Sequence, residues 1–389
     1  MLYSDLLGSR VSLLGFGTMR LPTSEGKIDF EATEALIDKA ISCGVNYFDT
    51  AWPYHSGESE LVTAKILKKY PRDTYYLASK YPGHQTADVY DPAEIFEKQL
   101  KKCEVEYFDF YLLHNVNENC IDVYRDKKWG IIDYFIKQKE LGRIRHLGFS
   151  THGGVKMISD FLDEYGEHME FCQIQHNYLD NTLQDSKGKY ELLTKYGIPV
   201  IVMEPVRGGK LAKLPKKTEA VMKMLRPGSS SASWAFRWLM NFPNVRVILS
   251  GMSDMSQLCD NIDTFSELSP LNGKECALLE DVARELKNTL PCTSCRYCTD
   301  VCPMGLDIPY MISIYNEMAT FPSFMATMRL EGFPEEKLPS ACISCGACSR
   351  ICPQNIDVPA TLASLHEMIS KTPRWADICR ERAAAQKQN

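Results

Sequence analysis

Over the first 270 residues, short apolar runs rich in β-branched and aromatic side chains alternate with longer stretches whose apolar positions recur every three or four residues. The short runs are VSLLGFG, VNYFD, TYYLASK, FDFYLLH, IRHLGFS, FCQIQHN, IPVIVME and VRVILSG. Continuous apolar runs of this length read as buried strands, and the stretches between them, such as FEATEALIDKAISCG, GESELVTAKILKK and DPAEIFEKQLKKCEV, read as amphipathic helices. Eight βα units predict an α/β chain whose parallel strands close into a (β/α)8 TIM barrel, with its active site at the C-terminal strand ends. The structural rival is a doubly wound open sheet. It is disfavoured because no GxGxxG follows any of the runs.

The pattern changes near SPLNGKE, residues 269–275, where a linker leads into a helix-like stretch, ECALLEDVARELKN, and then Pro291. Beyond it, CTSCRYCTDVCP places Cys292, Cys295, Cys298 and Cys302 at the spacing of an iron–sulfur ligand run. The phrase returns as CISCGACSRICP, with Cys342, Cys345, Cys348 and Cys352 at a constant offset. Asp307-Ile308-Pro309 is echoed by Asp357-Val358-Pro359, so each copy predicts a ligand loop followed by a helix. The apolar stripes Met311, Ile314, Tyr315, Met318 and Leu362, Leu365, Ile369 are then core positions. This organisation divides the chain into a barrel (1–270), a linker helix (271–290), a small α-helical ferredoxin-like two-cluster domain (291–372) and a tail (373–389).

Disulfides, structural zinc and two cubane clusters compete for the eight cysteines. The N-terminus has no apolar signal-like core and the chain no apolar span of membrane length, so the protein reads as soluble and cytoplasmic, where disulfides are rare. Zinc sites take paired CxxC motifs, whereas three cysteines at x2-x2 spacing plus a fourth before Pro suit a four-iron cube. In two-cluster ferredoxins the fourth cysteine ligates the other cluster, so Cys352 is expected to complete the first cube and Cys302 the second. A formal charge of −6 argues against nucleic acid or an anionic membrane as partner.

Candidate chemistry gathers at the strand ends. Asp49 ends the second run, Lys80 the third and His114 the fourth, with Tyr54 just past Asp49 in DTAWPY. In a barrel these groups converge on one mouth. A tyrosine beside a cation serves as a proton donor, and Lys80 is expected to lower its pKa toward working pH. Asp49 would hold Lys80 charged, and His114 would orient a substrate carbonyl. His84, Trp52 and Trp129 are further candidates for the mouth or for loop packing.

The segments GFGTMRLP, FDTAWPYHSGESE, LASK, LLHN, GRIRHLGFSTH, QIQHN, EPVRGG and SGMSDMSQLCDNI together resemble the aldo-keto reductase family, in the branch fused to a C-terminal 4Fe-4S ferredoxin-like domain. The resemblance implies Tyr54 as general acid, Asp49 and Lys80 as its tuning pair and His114 as the substrate-orienting residue. It implies a nicotinamide dinucleotide, NAD(H) or NADP(H), across the barrel mouth. Thr18, Met19, Ser150, Gln173, Met203, Pro205 and Gly208 would serve its nicotinamide and pyrophosphate, and Gly251, Ser253, Gln257 and Asn261 its adenosine end. Met203 stands where the family stacks an aromatic ring. Gly251 and Gln257 stand where NADP-preferring members carry Lys and Arg, which leaves a 2′-phosphate without charge-assisted partners.

A nicotinamide passes two electrons as hydride, whereas each cube takes one. A flavin handles both modes, which makes FMN a further cofactor candidate at the mouth. The favoured expectation is an oxidoreductase acting on a small carbonyl or alcohol substrate, its electrons linked to two [4Fe-4S] clusters through nicotinamide or flavin, with a redox protein such as ferredoxin as a candidate partner. The alternatives are an ordinary NAD(P)H-dependent aldehyde or ketone reductase with structural or docking clusters, and a redox sensor or electron-transfer subunit without turnover.

Overall fold

The computed structural model describes residues 1–389 apart from positions 86, 288, 291, 293–295, 353 and 389 and the side chains at 383 and 385–388. Cys295 of the first ligand run therefore lies outside the described residues. Twelve strands are described: β1 (Tyr3–Leu6), β2 (Ser9–Ser12), β3 (Leu14–Gly17), β4 (Thr23–Ser24), β5 (Lys27–Ile28), β6 (Tyr47–Asp49), β7 (Tyr76–Tyr81), β8 (Phe108–Leu113), β9 (Ile144–Thr151), β10 (Cys172–Gln175), β11 (Val200–Met203) and β12 (Val245–Ser250). Eight of them close into a barrel in the order β10-β11-β12-β3-β6-β7-β8-β9, every neighbouring pair parallel. Every predicted run contains one barrel strand.

The strands are mostly apolar because both of their faces are covered. Every residue of β8 is buried. Inside the barrel, Tyr47, Ala78, Phe110, Leu112, Phe171, Ile201, Val247 and Leu249 form one cluster. Gly15 fits among them because a Cβ there would lie 2.7 Å from both Leu249 and Val247. The helices form the outer layer; Asp29 and Asp91 cap the helices Phe30–Ser42 and Pro92–Cys103 by accepting from Ala32 and Glu94 N–H.

One predicted run divides. VSLLGFG supplies β2 and β3, not a single strand. Ser12 turns its hydroxyl to Leu14 C=O at 2.7 Å, and its own N–H donates to Asn46 Oδ1, so the chain breaks register between the two. β2 pairs back on β1 through Leu7 and Gly8, both at positive φ. Leu6 and Val11 of this hairpin join the interior cluster and plug the barrel floor.

The helix Gly273–Leu286, opened by a capping box at Asn272 and Glu275, buries Leu279, Val282 and Ala283 in the main core. The two cysteine phrases are followed by helices Ile308–Thr320 and Val358–Ser370, capped by Asp307 and Asp357. Met311, Ile314, Met318, Leu362 and Leu365 build a separate core between them. The final helix, Trp375–Gln388, returns to the barrel.

The C-terminal unit sits on the barrel mouth through a buried polar network. Glu317 is ion-paired with Arg329, lies 3.8 Å from Arg207 and accepts from Gln184 Nε2 at 2.5 Å. Arg207 is also paired with Asp180, and Tyr310 OH meets Glu118 at 3.2 Å. Glu317 and Arg329 are both almost fully buried. Removing one member of such a network leaves uncompensated charge. Glu317→Ala should therefore cost about 3–5 kcal/mol in denaturant unfolding. Lys371→Ala, at the exposed Glu367 pair, should cost under about 1 kcal/mol. Equal costs would show that Glu317 is not the keystone.

Candidate active site

Asp49, Lys80 and His114 come from three successive barrel strands. β6 pairs with β7 so that Asp49 faces Ala78, β7 pairs with β8 so that Lys80 faces Leu112, and His114 follows β8 directly. Their side chains therefore rise at the same end. Tyr54 is carried by the turn after β6, which tightens through left-handed residues at His55 and Ser56.

Lys80 is fully buried. Its Nζ donates to Asp49 Oδ1 at 2.5 Å and to Thr50 C=O at 2.8 Å, and lies 3.4 Å from Tyr54 OH. Burial works against the ammonium, yet Asp49 and Tyr54 together raise its pKa, so it stays charged. For Tyr54 the expected lowering is corrected: burial raises the phenol pKa above its ordinary value, and Lys80 only partly offsets it. The sequence displays the cation but not the desolvation. His114 is held neutral, its pKa pushed well below the ordinary imidazole range by burial and by His84, Lys80, His152 and Arg382.

A column of rings stands over Tyr54. Its ring meets His114 edge-on at 5.9 Å, His84 lies 4.2 Å from His114, and Trp375 stacks on His84 at 5.5 Å. Trp375 Nε1 donates to His84 C=O at 2.8 Å, and Phe324 stacks on its other side. Met328 Sδ is 3.9 Å from Asn115 Nδ2. Thus the C-terminal unit supplies part of the site's wall. Of the three candidate aromatics, only His84 joins it: Trp52 lies under Lys102 and Trp129 packs on Tyr90. Trp375, Met328 and Asn115 escaped the sequence reading because no local pattern marks them.

The residues implied for a dinucleotide line the same mouth. Ser150 Oγ accepts from Asn115 N–H, Asn261 Nδ2 donates to Ser250 Oγ, and Thr18 Oγ1 donates to Asp49 C=O. Ser253 N–H donates to Gln257 Oε1 and Ser253 Oγ to Arg20 C=O; Met19 is exposed. Met203 ends β11, and Pro205 and Gly208 follow in a loop with positive φ at Glu204, Arg207, Gly208 and Gly209. Arg20 reaches over Gly208 and Gly251 to Glu204 at 3.5 Å; a Cβ at either glycine would come within 3.1 Å of it. Gln173 Oε1 and Asn115 Oδ1 are buried without a partner, as are Asp49 Oδ2 and His114 Nδ1. Unpaired buried acceptors at this point suit the carboxamide of a nicotinamide, whose N–H groups would satisfy them.

Cys302, Cys342, Cys345 and Cys348 line one pocket, walled by Leu306, Ile308 and Leu362. Among the described residues no three His, Cys, Asp or Glu side chains close around a single ion. Four thiols around an apolar pocket are the donor set that a four-iron cube takes. Cys292, Cys298 and Cys352 border the same small core.

On the expectation that Tyr54 is the general acid of a carbonyl reduction, Tyr54→Phe should lower that activity by about 10²–10⁴-fold. Because burial raises the Tyr54 pKa, wild-type activity should show no loss of the acid form between pH 7 and 9; a decline in that window would mean another donor. His84, His152 and His176 are also held neutral, each pushed by burial down to about 3. The unfolded chain would protonate them near ~6.5, so their contribution is intact above that pH and lost below it, by about 1.4 kcal/mol per group per pH unit. Unfolding midpoints at pH 7.5 and 5.5 should differ accordingly, and equal midpoints would contradict neutral burial.

Comparison with known proteins bears on this geometry. L-galactose dehydrogenase of Arabidopsis thaliana is 24% identical over 307 residues, covering 72% of this chain and 93% of that one. The NADH-specific methylglyoxal reductase of Escherichia coli K12 is 22% identical, covering 71% and 96%. An aldo-keto reductase of Bacillus halodurans, in its holo form, superposes with a TM-score of 0.59 at 24% identity, over 72% of this chain and 95% of that one. That likeness speaks to the fold. Among the described residues no helix is long and apolar enough to cross a membrane. Residues 291–356 match the 4Fe-4S dicluster domain, and residues 13–284, well over half of the chain, match the aldo/keto reductase family; the chain belongs to that family and carries an iron–sulfur domain behind its barrel.

Proposed function

We propose that the protein interconverts a small carbonyl compound and its alcohol at the barrel mouth, with Tyr54 as general acid and its electrons linked to two [4Fe-4S] clusters. The observation that carries this reading is the Tyr54 hydroxyl 3.4 Å from an ammonium that Asp49 and Thr50 hold buried and charged. The ammonium stabilises the phenolate left after Tyr54 releases its proton to the carbonyl oxygen. His114, neutral, donates an N–H to that oxygen and fixes its direction. Gln173, Ser150 and Asn115 would grip a nicotinamide carboxamide, and Asn261, Ser253 and Gln257 the adenosine end. When bound, a nicotinamide would supply hydride and the clusters single electrons; a flavin at the mouth in its place would handle both modes.

The cavity lined by Cys302 together with Cys342, Cys345 and Cys348 supports the crossed ligand assignment, in which Cys352 completes the first cluster. Arg20, the cation packed on Gly251, turns its guanidinium to Glu204. With Gln257 this supports NADH over NADPH, and the NADH-specific reductase among the relatives agrees with it. A second reading has its own observation: Met328 and Trp375 wall the site, so clusters that merely hold their domain in shape would also be needed for turnover.

An anaerobic preparation should contain about eight irons, and Cys302→Ala about four. Wild type should exchange electrons with a one-electron donor such as reduced viologen during carbonyl turnover, and Cys302→Ala should not. Loss of viologen coupling with retained NADH-driven reduction supports the linked path. Viologen coupling that survives loss of the cluster defeats it, and wild type driven by NADH alone supports structural clusters.

A further inference from the structure

Four cations of the mouth are held by acids. Lys80 is paired with Asp49, Arg20 with Glu204, Arg207 with Asp180 and Arg329 with Glu317. Arg382, on the final helix beside the ring column, is not. Its guanidinium lies over the Trp375 ring at 5.5 Å, and Trp375 stacks directly on His84 of the ring column. Among the described residues no carboxylate lies within ion-pair distance of it and it makes no hydrogen bond, although Asp377 on the same helix is paired with Arg380. The charge is nonetheless close to the chemistry, because it helps to hold both His84 and His114 neutral.

A second observation points to a ligand at the same place. His84 Nδ1 and His114 Nδ1 are buried and without a hydrogen-bond partner. Two such atoms side by side leave hydrogen-bonding capacity open to a bound group. Tyr54 and His114 keep partial exposure, so the site is open to a small molecule. A planar guanidinium with its donors unspent suits a carboxylate or phosphate, which it can bind with two parallel hydrogen bonds.

Resting on the reductase reading above, we propose that the substrate is an aldehyde or ketone with an anionic group, carboxylate or phosphate, at its far end, and that Arg382 receives that group while Tyr54 and His114 hold the carbonyl. The two imidazoles lie between the cation and Tyr54, so the charge is separated from the reacting carbon. An α-keto acid, whose charge adjoins its carbonyl, fits this spacing less well. Arg382 is a specificity residue; it touches the substrate away from the bond that changes.

The test uses the full-length, cluster-loaded protein with NADH and two matched pairs: succinic semialdehyde against butanal, and glyceraldehyde 3-phosphate against glyceraldehyde. Arg382→Gln should raise KM for the charged member of one pair by about 10–100-fold, the value of a hydrogen bond to a charged group, with kcat and the neutral partner unchanged. The affected pair tells carboxylate from phosphate. Arg382→Lys, which keeps the charge and loses the fork, should fall between. An equal loss on charged and neutral aldehydes, or no loss on either, overturns the proposal. Calorimetry of succinate and inorganic phosphate binding gives a readout independent of turnover. Binding by wild type and not by Arg382→Gln, with no aldehyde reduced, would sink the reductase reading and leave the anion site standing. Absence of binding together with absence of charge discrimination would sink the site.

Discussion

A fully buried ammonium is the constraint around which the barrel mouth is arranged. Lys80 keeps its charge in the interior only because Asp49 and the Thr50 carbonyl are fixed at hydrogen-bond distance. Those positions follow from the pairing of β6 with β7, which sets Asp49 and Lys80 two residues apart in register. Shift either strand and the charge is stranded. Tyr54 shares the same ammonium, so the fidelity of strand pairing reaches directly to the proton donor. The polar groups behind it, Glu60, Ser79 and Gln99, are likewise buried and tied to one another, which stiffens the floor under Lys80.

The second domain is bound to this arrangement from above. Its contact with the barrel is polar at the rim, where Glu317 gathers Arg329, Arg207 and Gln184, and aromatic at the centre, where Trp375 stacks on His84. The two kinds of contact do different work. The ion network fixes where the domain sits, since Glu317, Arg329 and Arg207 are buried and tolerate little displacement. The ring column carries that placement down to His114. Cofactor domain and reductase are therefore one mechanical unit at the mouth, whatever electrons pass between them.

Much of this was legible in the sequence, for physical reasons that also mark its limit. The eight strands declare themselves because a strand covered on both faces is mostly apolar. Asp49, Tyr54, Lys80 and His114 stand out because polar residues at the ends of such runs are conspicuous. The cysteine phrases are legible because ligand geometry demands close spacing along the chain. By contrast, Trp375 lies 291 residues from the His84 carbonyl it bonds, and nothing local announces the pairing. The hairpin escaped because Ser12, an ordinary polar residue in an apolar run, breaks it through side-chain bonds that only the fold supplies. The direction of the Tyr54 pKa is not legible there, because a neighbouring cation is visible in sequence and lost hydration is not.

The order of elements along the chain adds a matter of timing. Trp375 follows both cysteine loops, and the barrel precedes them. A ribosome therefore completes the barrel first, the metal-binding loops next and the wall of the catalytic mouth last. During synthesis the reductase pocket stands open until the downstream domain has folded back over it. The last segment to leave the ribosome is thus the one that closes a pocket whose buried ammonium was set in place some 290 residues earlier.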